Sequence, residues 1–193
     1  MATELLLIRH APSIPPGKLY GRTDVAADVT IPYDIAAIRQ VADSIDRWIS
    51  SPALRCRQTL KAIWEEDVHV KEDPRLWEQD FGEWEGLADK DIPDMGERAA
   101  DVLAQHCPPG GESFVDVCHR VQPALLEAVA ENGGARIAIV AHAGVVRAAI
   151  ALSLKSPRLA LSFEIQPLSL TKLRVYSADM ISIAFTNWRP QCI

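Results

Sequence analysis

Two segments of the sequence place a histidine directly after a short apolar run. Arg9-His10 follows residues 5–8, and His142 follows residues 137–141. Each run has the length and composition of a buried strand, and ligands of α/β proteins bind beyond the carboxyl ends of such strands. We therefore expect the two histidines to share one ligand-binding pocket, at which the Arg9 cation also lies.

The elements that must position these residues alternate along the chain. Apolar residues at helical spacing predict helices over residues 33–45, 53–64, 99–105, 114–132 and 145–154. Strands are predicted over residues 3–8, 47–50, 68–70, 137–141, 168–176 and 180–186, the last two forming a hairpin. Residues 13–32 are expected to form a loop. Ser113, with Asp116 three residues later, resembles a capping box at the start of the long helix.

This order of elements predicts an α/β fold. We expect a three-layer α/β/α sandwich with a mostly parallel sheet and an antiparallel edge. The length of 193 residues fits a single domain over residues 1–193, with an insertion around residues 88–112.

Composition narrows the class of protein. The formal net charge of −6 argues against a nucleic-acid binder, although a few arginines in a cleft still suit an anionic substrate. The four cysteines, which include Cys192, form no C-x-x-C pair and no zinc spacing with histidine, so reduced thiols are expected. No segment reads as a signal-peptide core or a membrane span. We therefore expect a cytoplasmic protein that binds neither nucleic acid nor a membrane.

Four blocks, far apart in the sequence, carry a family resemblance. They are LIRHA (7–11), SPALRCRQT (51–59), WEQDFGEWEG (77–86) and VAHAG (140–144). In this order they resemble the histidine phosphatase superfamily, which includes cofactor-dependent phosphoglycerate mutases and many small phosphatases. The resemblance implies that the sandwich is phosphoglycerate mutase-like. YGRTD (20–24) and PGGES (109–113) resemble two further motifs of the family. The first of these and the FGEWEG block look most like small phosphatases related to α-ribazole phosphatase.

The resemblance implies a role for five residues. His10 is expected to be the nucleophile, forming a phosphohistidine that water then hydrolyses. Arg9 and Arg55 are expected to hold the phosphoryl oxygens, with His142 as a fourth phosphate ligand next to backbone N–H donors of a helix N-terminus. Glu78 matches the proton donor for the leaving oxygen. No metal ion or other cofactor is implied, because two arginines and two histidines already supply the positive charge.

Further positions in or near these blocks refine the expected site or differ from the pattern of the family. A backbone carbonyl near Ala11 is expected to accept from the second ring nitrogen of His10. Ala11 stands where the family has glycine, and we expect a negative φ there, at which the methyl group only narrows the pocket. Pro16 occupies the position that would match an asparagine of the mutases. Arg22 lies in a loop near the substrate in the family, so both a substrate contact and a simple pair with Asp24 stay open.

Simpler interpretations exist for each residue taken alone. Either histidine could be a satisfied core residue, Arg55 could pair with a helix carboxylate, and Glu78 could belong to a solvated acidic loop. Their coincidence with four ordered blocks favours a phosphomonoesterase acting on a small phosphate ester. The alternatives are phosphoglycerate mutase-type phosphoryl transfer and a non-catalytic phospho-ligand binder. The organic part of the substrate and the quaternary state, monomer or homodimer, are left open.

Overall fold

The computed structural model of the protein describes residues 1–42, 44–64, 69–96 and 99–189. Asp43 and Val68, which fall within a predicted helix and a predicted strand, lie outside these residues, as does Cys192. The strands are β1 (Thr3–Arg9), β2 (Ser13–Ile14), β3 (Ala26–Ala27), β4 (Arg47–Ser50), β5 (Val70–Glu72), β6 (Arg136–Ala141), β7 (Leu170–Ser177) and β8 (Met180–Trp188). The α-helices are α1 (Pro32–Ala42), α2 (Leu54–Ile63), α3 (Ala100–Gln105), α4 (Phe114–Glu131), α5 (Ala143–Leu154) and α6 (Pro157–Ala160). Short 3₁₀ helices cover Pro74–Leu76, Gly82–Trp84 and Asp89–Asp91.

A six-stranded mixed sheet forms the centre of the fold. Its strand order is β5–β4–β6–β1–β7–β8. The first four strands run parallel, whereas β7 is antiparallel to β1 and β8 is antiparallel to β7. The predicted sheet, mostly parallel with an antiparallel edge, is therefore confirmed.

Helices cover both faces of the sheet. Alternate residues of the central strands point to opposite faces and so contribute to two separate cores. Leu5 and Leu7 of β1 pack in one hydrophobic core with α4 and α5. Leu6 and Ile8 pack in the other core with α1 and α2. Strands buried on both faces read as unbroken apolar runs, which is why β1 and β6 are the clearest strands in the sequence.

The register of the parallel strands brings their carboxyl ends together. Arg9 of β1 lies opposite Ala141 of β6, and Ser50 of β4 lies opposite Val140 of the same strand. The residues that follow β1, β4 and β6 therefore emerge at one edge of the sheet. His142 is among them, and this edge holds the candidate site.

Several boundaries differ from the sequence predictions. The strand expected over residues 68–70 is found at Val70–Glu72, and α5 begins at Ala143 rather than at residue 145. The expected loop over residues 13–32 contains the short β2–β3 pair, and α6 was not predicted. Within residues 88–112, α3 packs against α4 and α6.

Two further expectations about helices can be compared with the structure. The capping box at Ser113 is confirmed: its hydroxyl accepts from the Asp116 N–H, and the Asp116 carboxylate accepts from the Ser113 N–H. Among the described residues, no helix is long and apolar enough to cross a membrane.

Candidate active site

A cavity of about 450 Å³ opens at the carboxyl edge of the sheet. Arg9 and His10 at the end of β1 line this cavity together with Glu78, the first turn of α5, and the loop between residues 12 and 20. Three of the predicted site residues thus share one cavity wall. Arg55 and His142 are fully enclosed, with 0% of each residue exposed, and lie in the interior next to this wall.

The His10 imidazole is buried and held in one tautomer. Its Nδ1 lies 2.6 Å from the backbone oxygen of Ala11, the carbonyl that the sequence analysis expected nearby. A carbonyl oxygen only accepts hydrogen bonds, so we assign the hydrogen to Nδ1 and the lone pair to Nε2. Burial, followed by the charge of Arg55, lowers the pKa of His10 to about 3. The imidazole is therefore neutral near pH 7, with Nε2 able to attack an electrophile.

Ala11 is accommodated without backbone strain. Its φ is negative, as expected, and its methyl group is fully buried in the hydrophobic core on the α2 side of the sheet. Its N–H donates to the Thr59 hydroxyl at 2.9 Å, and that hydroxyl donates to the Arg55 carbonyl at 2.7 Å. Alanine at this position therefore packs against α2 and fixes the backbone beside His10.

His142 is the residue that precedes the first turn of α5, and its ring is fully buried. Its Nε2 lies 2.8 Å from the Ser51 hydroxyl and 3.6 Å from the Cys56 sulfur. The rings of His142 and His10 meet edge to face, with centroids 5.1 Å apart. Burial, followed by the charge of Arg55, holds the pKa of His142 well below its ordinary value. Two neutral imidazoles therefore lie side by side.

These two histidines make the stability of the fold depend on pH. Both have a folded pKa below the ordinary value of 6.5, so the unfolded chain binds more protons in acid. The free energy of unfolding should therefore fall as the pH drops below 6.5, and for His10 the loss continues down to its folded pKa of about 3. Between pH 7 and pH 5.5 we expect a loss of about 1 kcal/mol for each histidine.

Urea unfolding at the two pH values measures this loss. The His10→Asn variant cannot titrate at this position and should show about half of the pH dependence, if each histidine contributes equally. A free energy of unfolding that stays constant or rises on acidification to pH 5.5 contradicts the neutral assignment.

The two arginines of the site are anchored by backbone carbonyls. Arg9 donates through Nη1 to the oxygen of Ile165, and Arg55 donates through Nη2 and Nη1 to the oxygens of Gly21 (2.7 Å) and Thr23 (3.1 Å). Among the described residues Arg55 forms no ion pair, so the simpler interpretation, in which Arg55 pairs with a helix carboxylate, is wrong. The Nε of each arginine is buried with no acceptor in the described part of the chain. Buried donors of this kind cost free energy, and an anion that reaches them recovers it.

The Glu78 carboxylate is bound at the N-terminus of α5. Both of its oxygens lie 3.1 Å from the Gly144 nitrogen, and Oε1 also accepts from the Gln79 nitrogen at 2.9 Å. A carboxylate is favoured there by the helix dipole and the unsatisfied N–H groups of the first turn. Because Glu78 is 8% exposed, its alternative placement in a solvated acidic loop is wrong. Of the backbone N–H donors expected beside His142, that of Gly144 therefore binds Glu78.

Gly144 leaves room for this carboxylate. A Cβ built at Gly144 would overlap Oε1 of Glu78, so we expect Gly144→Ala to displace the carboxylate while the helix still forms. A displacement of this kind should lower kcat by about 10- to 100-fold with little change in melting temperature. Steady-state kinetics with thermal unfolding measures both. Gly133→Ala, whose Cβ would meet no atom within 4 Å, is the control and should change neither.

Arg120 holds the segment that carries Glu78, and the sequence analysis did not single it out. Its guanidinium donates to the backbone oxygens of Arg75 (2.7 Å), Trp77 (2.7 Å) and Glu78 (2.9 Å). It also pairs with the Glu112 carboxylate at 2.8 Å. Glu112 belongs to the PGGES block, and a partly buried carboxylate beside a site needs a cationic partner. That need could have pointed to Arg120.

Arg22 lies away from the cavity wall. It pairs with Glu112 at 3.3 Å, and its guanidinium carbon lies 5.9 Å from the centre of the Trp77 ring. Asp24 instead accepts from the backbone N–H of Leu54 at the start of α2, so the alternative pair of Arg22 with Asp24 is wrong. A substrate contact of Arg22 stays a prediction.

Sequence reasoning also missed three residues that complete the site. Ser51 contacts His142, Thr59 binds the Ala11 backbone, and Arg147 lines the cavity. Ser51 and Thr59 belong to a recognised block but had no assigned role. Arg147 could have been found from its position three residues after Gly144, on the same face of α5.

Comparison with known protein families tests the resemblance that the sequence blocks carry. The model of the histidine phosphatase superfamily (branch 1) matches residues 5–188. The chain belongs to the histidine phosphatase superfamily. The resemblance carried by the four sequence blocks is thereby confirmed.

Proteins similar to this chain include named phosphatases. A glucosyl-3-phosphoglycerate phosphatase of Mycobacterium tuberculosis is 38% identical over 123 residues, which are 56% of this chain and 54% of that protein. The chain thus spans about half the length of this curated relative. The solved structure of a mycobacterial glucosyl-3-phosphoglycerate phosphatase has a TM-score of 0.83 at 26% identity, covering 97% of this chain and 99% of that chain.

A further solved structure shares the fold. It is described as a candidate alpha-ribazole-5'-P phosphatase from Escherichia coli, and it has a TM-score of 0.82 at 20% identity over 100% of both chains. Its fold matches the expectation of a phosphoglycerate mutase-like sandwich.

Proposed function

We propose that this chain is a phosphomonoesterase that hydrolyses a small phosphate ester through a phosphohistidine on His10. The observation that carries the proposal is the buried, neutral imidazole with Nδ1 held by the Ala11 carbonyl, on a cavity wall shared with Arg9 and Glu78. The relatives named as glucosyl-3-phosphoglycerate phosphatases support a phosphatase activity. The proposed enzyme works without a metal ion.

In the first half of the reaction, Nε2 of His10 attacks the phosphorus and the bond to the ester oxygen breaks. Arg9 and Arg55 stabilise the charge on the phosphoryl oxygens, and each has a buried Nε donor with no acceptor among the described residues. His142 donates a further hydrogen bond to the same group. Glu78 gives a proton to the leaving oxygen, so that an alcohol departs.

In the second half, water hydrolyses the phosphohistidine. The Glu78 carboxylate, now ionised, takes a proton from the attacking water, and the bond between phosphorus and Nε2 breaks. Inorganic phosphate leaves, while His10 and Glu78 return to their starting protonation states. The hydrogen bond from Nδ1 to Ala11 keeps the ring orientation the same in both halves.

A panel of phosphate esters tests this function. The purified chain is assayed with p-nitrophenyl phosphate, glycerol 3-phosphate and 3-phosphoglycerate in buffer containing EDTA, and free phosphate is measured. We expect phosphate release from at least one ester, unchanged by the chelator. Conversion of 3-phosphoglycerate to 2-phosphoglycerate without phosphate release would instead establish a mutase, and binding without turnover would establish a phospho-ligand binder.

A further inference from the structure

Arg147 is a cation on the cavity wall to which the proposed hydrolysis gives no role. It lies on α5, one turn after Gly144, so both residues are on the helix face that borders the cavity. Long side chains on a helix lean toward its N-terminus. The Arg147 side chain is thus directed toward the end of the helix where Glu78 is bound and where His142 lies.

The position of this guanidinium is fixed by the same segment that fixes Arg9. Arg147 donates through Nε to the backbone oxygen of Phe163 at 2.9 Å, and Arg9 donates to the oxygen of Ile165. Two residues of chain span at most about 7 Å, so the two guanidinium groups are held near each other. Burial lowers the pKa of Arg9; the Glu78 charge opposes this shift, and repulsion from Arg147 adds to it.

The acidic groups around the cavity do not neutralise Arg147. Within the described residues it forms no ion pair. The acids on the cavity wall are Glu78, which is bound to α5, and Asp89, whose segment pairs with the loop at Gly17. Glu164 lies between the two anchoring carbonyls but is exposed and does not line the cavity. A fixed guanidinium on a cavity wall, with no carboxylate partner, suits an anionic group of a ligand.

We propose that Arg147 binds a carboxylate on the organic part of the substrate, and that this chain therefore prefers short phosphate esters that carry a carboxylate. This inference rests on the proposed phosphatase function. A guanidinium matches a carboxylate with two parallel hydrogen bonds, and one negative charge balances one positive charge. Arg147 lies five residues beyond His142, about 7.5 Å along the helix axis. The Arg147 side chain covers part of this distance. Two or three carbons between the ester oxygen and the carboxylate would cover the rest.

A matched pair of substrates tests the inference. 3-Phosphoglycerate and glycerol 3-phosphate differ in having a carboxylate or a hydroxymethyl group at the far end. We expect wild-type kcat/KM to favour 3-phosphoglycerate by about tenfold or more, the range of a charge-assisted hydrogen bond. Arg147→Gln should reduce this preference to about twofold or less, chiefly by lowering kcat/KM for 3-phosphoglycerate, and Arg147→Lys should retain part of it.

Arg158→Gln is the control, because it removes the same charge from an exposed helix residue that pairs with Asp101 away from the cavity. It should leave the preference intact. Equal wild-type kcat/KM for the two esters overturns the inference, as does an Arg147→Gln variant that slows both esters equally, which is the result expected of a purely structural arginine.

Failure of the proposed function looks different, since p-nitrophenyl phosphate is then not hydrolysed either. In that case calorimetric titration of the two esters against wild type and Arg147→Gln decides the carboxylate contact by itself.

Discussion

Replacing His10 with alanine should abolish ester hydrolysis, lowering kcat by on the order of 10⁴-fold or more, the loss typical of a missing covalent nucleophile. No other described group offers the same combination of burial, a fixed tautomer and a place on the cavity wall beside Arg9. The measurement is steady-state release of phosphate by wild type and variant at equal concentrations. Circular dichroism and thermal unfolding of the variant exclude loss of fold as the cause.

His119→Ala is the matched control for this variant. His119 is exposed on α4, away from the cavity, and its removal should leave kcat unchanged. If His10→Ala retains more than about 1% of wild-type kcat with every ester, the covalent route through His10 is wrong. An unchanged kcat of the His119→Ala variant in the same assays would show that the loss of activity is specific to position 10 and does not follow from the removal of any histidine.

Replacing Glu78 with glutamine should have an effect that depends on the leaving group. Glutamine cannot give up a proton, so hydrolysis of glycerol 3-phosphate, whose alcohol leaves poorly, should fall by about 10²- to 10⁴-fold. Nitrophenolate leaves without protonation, so the first step with p-nitrophenyl phosphate should stay fast while the water step becomes slow. Stopped-flow measurement should then show a rapid release of nitrophenol equal to the amount of enzyme, followed by a slow phase.

Glu83→Gln serves as the control, because Glu83 is an exposed carboxylate in the same block and does not line the cavity. It should leave both substrates unaffected. Equal losses on glycerol 3-phosphate and p-nitrophenyl phosphate, with no rapid phase, would contradict proton transfer by Glu78 and indicate that the carboxylate acts only through the structure of the α5 terminus.

The parts of the fold that depend on local pattern could be predicted from the sequence. β1 and β6 are unbroken apolar runs, and α4 has both a capping box and helical spacing, so their positions agree with prediction to within a residue or two. β5 was misplaced, because a short and partly exposed edge strand has little apolar pattern to locate it. α6, with four residues, is too short for periodicity to identify it.

The candidate site divides in the same way. Arg9 ends a strand, His10 and His142 each follow one, and all three were found because the ends of parallel strands meet at one edge. The partners of these residues depend on tertiary contacts that no local pattern contains. The Ser51 hydroxyl beside His142 and the Gly144 N–H bound by Glu78 are examples, since the second joins residues 66 positions apart in the sequence.

Direct detection of the phosphorylated residue tests the central claim. Wild-type protein is mixed with radiolabelled ester and quenched in alkali, in which phosphohistidine survives, and its peptides are mapped; the Glu78→Gln variant is treated in the same way to increase the trapped fraction. The account predicts label on the peptide that contains His10, lost on acid treatment and absent from His10→Ala. A protein that releases phosphate while carrying label on another residue, or no label in either form, would contradict it.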